Sequence, residues 1–193
     1  MGRPSVRKQL VDAALDVFWS TGFNGSSVQD LTDAAHVPKG SFYNHFDGKE
    51  ALALEALATY AALQDPRTLL NQSVEPIERL KRDFRKRWKT VKDRDYKGGC
   101  FLGSLSSEIA HSHEQSRAEF ARYYQLWSEA IAAVITEAQA AGTVATDLDP
   151  HSLGRFVLNA WQGTLLRAKT QQGEEPFRDF QAAVFGVLLA PGA

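Results

Sequence analysis

Hydrophobic residues recur along this chain at three-to-four spacing almost throughout, the period of one face of an α-helix. Leu10/Val11, Ala14/Leu15 and Phe18/Trp19 form the first stripe, and Gly22 reads as its stop before the turn Phe23-Asn24-Gly25. Ser27-Val28-Gln29-Asp30 has the form of a capping box, so a second helix opens there with Val28, Leu31 and Ala34/Ala35 as its apolar positions. It is short, because the residue before Pro38 is driven away from helical backbone. Pro38 suits the start of a third helix, on which Phe42 and Phe46 lie four apart as an inward stripe. Asp47-Gly48-Lys49-Glu50 reads as another capping box and opens a fourth helix rich in alanine and leucine, which Pro66 closes off.

The remainder predicts longer helices. One runs from Pro76 to about Arg94, Gly98-Gly99 breaks the chain, and a shorter one spans about Leu102 to Ala110. The strongest stripe is Phe120, Tyr123/Tyr124, Trp127, Ile131 and Val134/Ile135, closed by Gly142. Asp149-Pro150 opens the next helix, with Leu153, Phe156/Val157, Ala160/Trp161 and Thr164/Leu165 on one face and Gly173 as its stop. The last carries Phe177, Phe180, Val184 and Val187/Leu188. No stretch alternates with period two over strand length. The expected fold is all-α, with a small N-terminal helical domain over residues 1–50 and a larger one over 51–193.

Composition narrows the class. A hydrophobic fraction of 44% supports a packed core rather than disorder. No apolar run approaches the roughly 20 residues needed to cross a bilayer. The first residues lack the apolar core of a secretory signal, and Val6 stands where a myristoylation motif needs Ser or Thr. A single cysteine, Cys100, excludes an internal disulfide framework and a cysteine-rich metal site, so a cytoplasmic location is expected. Net charge is −1, and residues 1–50 carry five bases against six acids. A nucleic-acid surface here would have to rest on where charges sit, not on their sum.

Residues 27–46 supply such a placement. A capped helix, a tight turn and a second short helix beginning at a proline make a helix-turn-helix, whose second helix enters the major groove. With Phe42 and Phe46 inward, Lys39, Ser41, Tyr43, Asn44 and His45 are left to face out, and no acid shares that short helix. Lys39 suits a phosphate or guanine, and Gly40 admits a close backbone. Ser41, Tyr43 and His45 are neutral donors to phosphate oxygens, and Asn44 matches adenine. Ser27 caps the preceding helix with a hydroxyl a phosphate can share. Lys49 opens the fourth helix, and Arg3, Arg7 and Lys8 form a basic N-terminal arm.

Val37-Pro38-Lys39-Gly40-Ser41-Phe42-Tyr43-Asn44-His45-Phe46, followed by Lys49-Glu50-Ala51-Leu52, resembles the signature of the TetR/AcrR family of transcriptional regulators. Ala13-Ala14-Leu15, Phe18, Gly22-Phe23, Ser27-Val28 and Leu31 fit the same pattern. The resemblance covers roughly the first 60 residues. It implies a homodimer that binds successive major grooves of a near-palindromic operator, with repression relieved by a small-molecule effector. Carried over, it assigns DNA contact to Ser27, Gln29, Lys39, Ser41, Tyr43, Asn44, His45 and Lys49, to which the basic arm adds Arg3 and the close backbone adds Gly40. Gly99-Cys100-Phe101-Leu102, Ala160-Trp161-Gln162-Gly163 and Leu166-Arg167-Ala168-Lys169 resemble the branch that includes the NemR and AcuR regulators. That likeness implies sensing near Cys100, an effector class of electrophiles or small unsaturated acids, and dimerisation through the last two helices.

Other features stay open at this level. Trp88, Cys100, Phe101, Tyr123, Trp127 and Trp161 are candidates to meet an effector, or to fill a core. The basic run from Arg79 to Lys97 is a solvated face, or turns Lys86 or Arg87 inward toward an anion. His111, His113 and Glu114 lack the spacing of a metal site, and neither a phosphate loop nor a nucleophile elbow is present, so no cofactor, metal or catalysis is expected. A helical protein-interaction module without DNA binding is the competing reading.

Overall fold

A computed structural model describes residues 5–64, 66–145 and 147–191. Ten helices follow one another among them: α1 (Val6–Thr21), α2 (Val28–Ala34), α3 (Lys39–Phe42), α4 (Lys49–Ala62), α5 (Arg67–Leu70), α6 (Pro76–Asp93), α7 (Phe101–Ile109), α8 (Glu114–Ala140), α9 (Pro150–Gln171) and α10 (Glu175–Ala183). A single π-turn, Val184–Leu188, extends α10. Among the described residues there is no strand, and no helix is long and apolar enough to cross a membrane.

The chain divides into two compact units, the first made of Met1–Gln64 and Cys100–Ala121 and the second of Asp65–Gly99 and Arg122–Ala193. In the first, α1 buries Leu10, Val11, Ala14 and Phe18, and packs against the Leu52, Ala53, Ala56 and Leu57 face of α4. The Ser5 hydroxyl caps α1 by accepting the Lys8 N–H at 3.3 Å. Trp19, Tyr60 and Phe101 join α1, α4 and α7 through ring contacts of 5.4–5.8 Å.

The second unit centres on aromatic packing. Trp161 of α9 is 1% exposed and meets Phe84 at 5.1 Å, Phe180 at 5.4 Å and Phe177 at 6.1 Å. Trp88 stacks on Phe177 at 4.6 Å. At Gly154 the α8 and α9 backbones approach so closely that an added Cβ would lie 2.5 Å from the Ser128 carbonyl oxygen. Two cations of the basic run turn inward. Arg79 donates to the Leu69 carbonyl at 2.8 Å and pairs with Glu137. Arg87 pairs with buried Asp83 at 2.6 Å and lies over the Trp127 ring. Lys92 pairs instead with Glu174, and Lys89 with Asp93, on the outer surface.

Several local expectations change. Gly48, not Asp47, is the N-cap of α4, and no side chain caps that helix. The third helix closes after Phe42; Tyr43 to His45 continue as turns, with His45 and Phe46 N–H groups both reaching the Phe42 carbonyl. The left-handed residue after α9 is Gln172 (φ 52°), one position before the glycine expected there. Val187 is 77% exposed rather than inward, because the π-turn bonds Leu189 N–H to the Val184 carbonyl and delivers Leu189 to the core instead. Since a non-glycine residue is strained in the left-handed region, Gln172→Gly should stabilise the protein by about 0.5–1 kcal/mol. Urea unfolding would check this, and an unchanged or lowered midpoint would count against it.

Candidate nucleic-acid interface

The reader is built from residues 27–46. Ser27 Oγ accepts the Asp30 N–H at 3.2 Å while an Asp30 carboxylate oxygen accepts the Ser27 N–H at 2.7 Å, completing the reciprocal cap. These bonds, led by the one from the Ser27 hydroxyl, hold the Asp30 carboxyl below its usual range. The α2 terminus closes with His36 in the left-handed region (φ 55°). Val37 N–H bonds the Thr32 carbonyl at 3.0 Å, and His36 N–H the Asp33 carbonyl at 3.1 Å. Pro38 then sets the extended entry to α3.

Phe42 and Phe46 are 0% and 4% exposed, which turns the rest of the segment outward. Ser27, Gln29, Lys39, Gly40, Tyr43 and Asn44 are exposed, and Ser41 and His45 are half-buried. The Tyr43 ring packs edge-on against Phe42 at 5.1 Å yet stays 61% exposed, so its hydroxyl projects from a fixed base. Gln29 donates its amide to Asp33 at 2.7 Å. The nearby acids are mostly engaged within the fold: Asp12 with Lys8, Asp30 with Ser27, Glu50 with His113 and Ser116, Glu55 with Arg7. Lys39 makes no ion pair among the described residues, so its charge faces outward.

Two expected contacts are placed differently. The Lys49 ammonium turns inward, donating to the Phe23 and Ser26 carbonyls at 2.6 and 2.7 Å and lying over the Phe23 ring. Burial there pushes its pKa down, against the opposing fields of Glu108 and Asp30. Arg7 is no free arm. It donates to the His45 carbonyl at 2.6 Å, pairs with Glu55 and covers the Phe46 ring. It thus braces the end of the recognition segment. Arg3 lies outside the described residues.

The effector candidates fall in both units. Cys100, 6% exposed, caps α7 by accepting the Gly103 N–H at 3.5 Å, and Phe101 packs beside Trp19 and Tyr60. Trp161 is enclosed by phenylalanine rings, and buried Trp88 lies against Phe177 and Tyr96. Tyr123 and Trp127 are half-buried; the Trp127 indole N–H is buried with no hydrogen-bond partner among the described residues, and Arg87 lies 4.6 Å above the ring.

The second unit also has an open groove of about 340 Å³ between α9 and α10, lined by Phe156, Ala160, Gly163, Thr164, Ala183 and Leu188 among others. Phe156 is 58% exposed there. Gly163 sits inside a helix, yet a Cβ added to it would meet nothing within 4 Å.

Comparison with known proteins agrees with this geometry. Residues 10–56 match the family model described as bacterial regulatory proteins, tetR family, and residues 76–184 match the tetracyclin repressor-like C-terminal domain. The chain is 38% identical over 192 residues to the HTH-type transcriptional repressor DhaR of Mycobacterium sp., covering 98% of this chain and 95% of that one. It is 31% identical to the transcriptional regulator AcuR of Cereibacter sphaeroides, covering 90% and 80%. The crystal structure of regulatory protein TetR from Rhodobacter sphaeroides superposes with a TM-score of 0.88 at 29% identity, covering 96% and 99%.

Proposed function

The chain belongs to the tetR family of bacterial regulatory proteins, a class of DNA-binding transcriptional repressors, and from that premise we propose how this member reads its operator. Lys39 and Tyr43 anchor the phosphate backbone, with Ser27, Ser41 and His45 as neutral donors. Asn44 and Gln29 reach base edges, and Gly40 lets the helix approach. The observation that carries this is the recognition face itself: Lys39 without an ion pair among the described residues, Tyr43 exposed on a buried Phe42, and most of the surrounding acids, Asp47 excepted, occupied within the fold. Lys49 contributes by holding the turn before α2.

The working form is a cytoplasmic homodimer joined through α9 and α10, whose open, largely apolar groove supports that face. A small-molecule effector releases it by binding one conformation better than the other, and no catalysis is involved. Of the aromatic candidates, Tyr123 and Trp127 suit effector contact best, because the Trp127 indole N–H has no partner among the described residues and lies beside the Arg87 cation.

The test uses a duplex selected from a random-sequence library with the native protein. Lys39→Ala and Tyr43→Ala should each weaken binding about tenfold or more, the loss of a hydrogen bond to a charged group, while the dimer stays folded. Lys39→Ala should also reduce the slope of log affinity against log salt by about 1, one fewer phosphate being neutralised. Unchanged gel shifts for both variants would show that this face does not meet DNA.

A further inference from the structure

Gly22 ends α1 with φ 80°, and the space left by its missing side chain is filled from far along the sequence. A Cβ there would lie 2.7 Å from Glu108 Oε1, on α7. The other oxygen of that carboxylate accepts the Asn24 N–H at 2.7 Å. Its charge acts on the Lys49 ammonium, which itself holds the Phe23 and Ser26 carbonyls. The turn between α1 and α2 is therefore fixed through one amide and two carbonyls, by an anion from α7 and a cation from α4. Ser27, the cap of α2, follows this turn directly.

The same stretch of chain makes a second grip. Glu50, in the first turn of α4, lies 2.6 Å from His113 Nδ1 and accepts the hydroxyl of fully buried Ser116 at 2.5 Å. Both grips come from residues 108–116. These lie inside the match to the C-terminal domain and outside the match to the reader.

We propose that Glu108 is a positioning residue for operator binding, supplied to the reader by the C-terminal part of the chain. It aims α2, and with it α3, by holding the Gly22–Ser26 turn. This rests on the DNA-binding reading above. Losing the contact lowers the fraction of readers in the competent pose, and apparent affinity falls by that fraction.

Glu108→Ala, Glu108→Gln and the control Lys39→Ala are compared with the native dimer on the selected duplex. The Asn24 amide proton is followed by NMR for shift and exchange. Glu108→Ala should weaken binding about tenfold, move the Asn24 amide upfield and speed its exchange, with the dimer mass unchanged. Glu108→Gln, which keeps an oxygen for Asn24 but no charge for Lys49, should fall between. If alanine also lowers the melting temperature, the glutamine variant decides: a native melt with weakened binding and a shifted Asn24 amide supports the proposal. Native affinity in Glu108→Gln or Glu108→Ala with a displaced Asn24 amide, while Lys39→Ala still weakens binding, overturns this proposal alone. Native affinity in all three variants overturns the reader assignment and this proposal together.

Discussion

Gly163→Glu is expected to leave the folded subunit intact, or slightly more stable, and to turn the protein into a monomer that no longer shifts its operator. The two effects have opposite signs, which makes the variant informative. Among the described residues of one chain, a Cβ at this position meets nothing within 4 Å. Glutamate is the better helix former by about 0.5–1 kcal/mol, so an isolated subunit has no reason to suffer. Gly154 on the same helix has an internal reason to be glycine, the carbonyl of Ser128, and Gly163 has none. If the α9–α10 groove seats a second copy, a charged side chain there both fills the gap and buries an unpaired carboxylate. Losing the linked second reader then costs about 10²–10⁴ in operator affinity. Sedimentation equilibrium and a gel shift read both consequences. A dimer of native mass at micromolar concentration would move the interface elsewhere.

The largest loss of stability should come from Trp161→Ala. The side chain is 1% exposed and touches Phe84, Phe177 and Phe180, which bring α6, α9 and α10 together. Truncating such a residue removes its transfer free energy and leaves a void, about 3–5 kcal/mol together. At about 2–4 °C per kcal/mol for a chain of this size, melting should fall by roughly 10 °C. A loss below about 1 kcal/mol would mean that the indole lines a space already open and belongs with Tyr123 and Trp127 as an effector contact.

The helices were legible because their signals are local. Stripes at helical spacing, Ser27 with Asp30, and Asp149 before Pro150 each act within one turn of chain, and each stands where expected. Phe42 and Phe46 at four apart were enough to orient the recognition segment. What failed was also local, but ambiguous. Asp47 and Gly48 both suit a cap, and the backbone chose the glycine. His36 and Gln172 occupy left-handed positions that a sequence reading awards to glycine. Long-range pairings left no trace in the pattern. Lys49 looks like any exposed helix-start lysine until the Phe23 and Ser26 carbonyls close around it. Glu108 is 84 positions from the amide it accepts, and nothing along the chain marks either partner. Arg79 sat unremarked within a run of bases, although it is the one brought to 2% exposure.

The widened turn at Val184–Leu188 holds one residue more than its neighbours need. It behaves as a splice: upstream, Phe177 and Phe180 keep their seats, and downstream the Ala190 carbonyl still reaches the Ala145 amide. A homologue lacking that surplus residue would close the same hairpin with an ordinary turn. Its sequence would then align with a one-letter gap where the two backbones, laid over each other, differ only by a bulge.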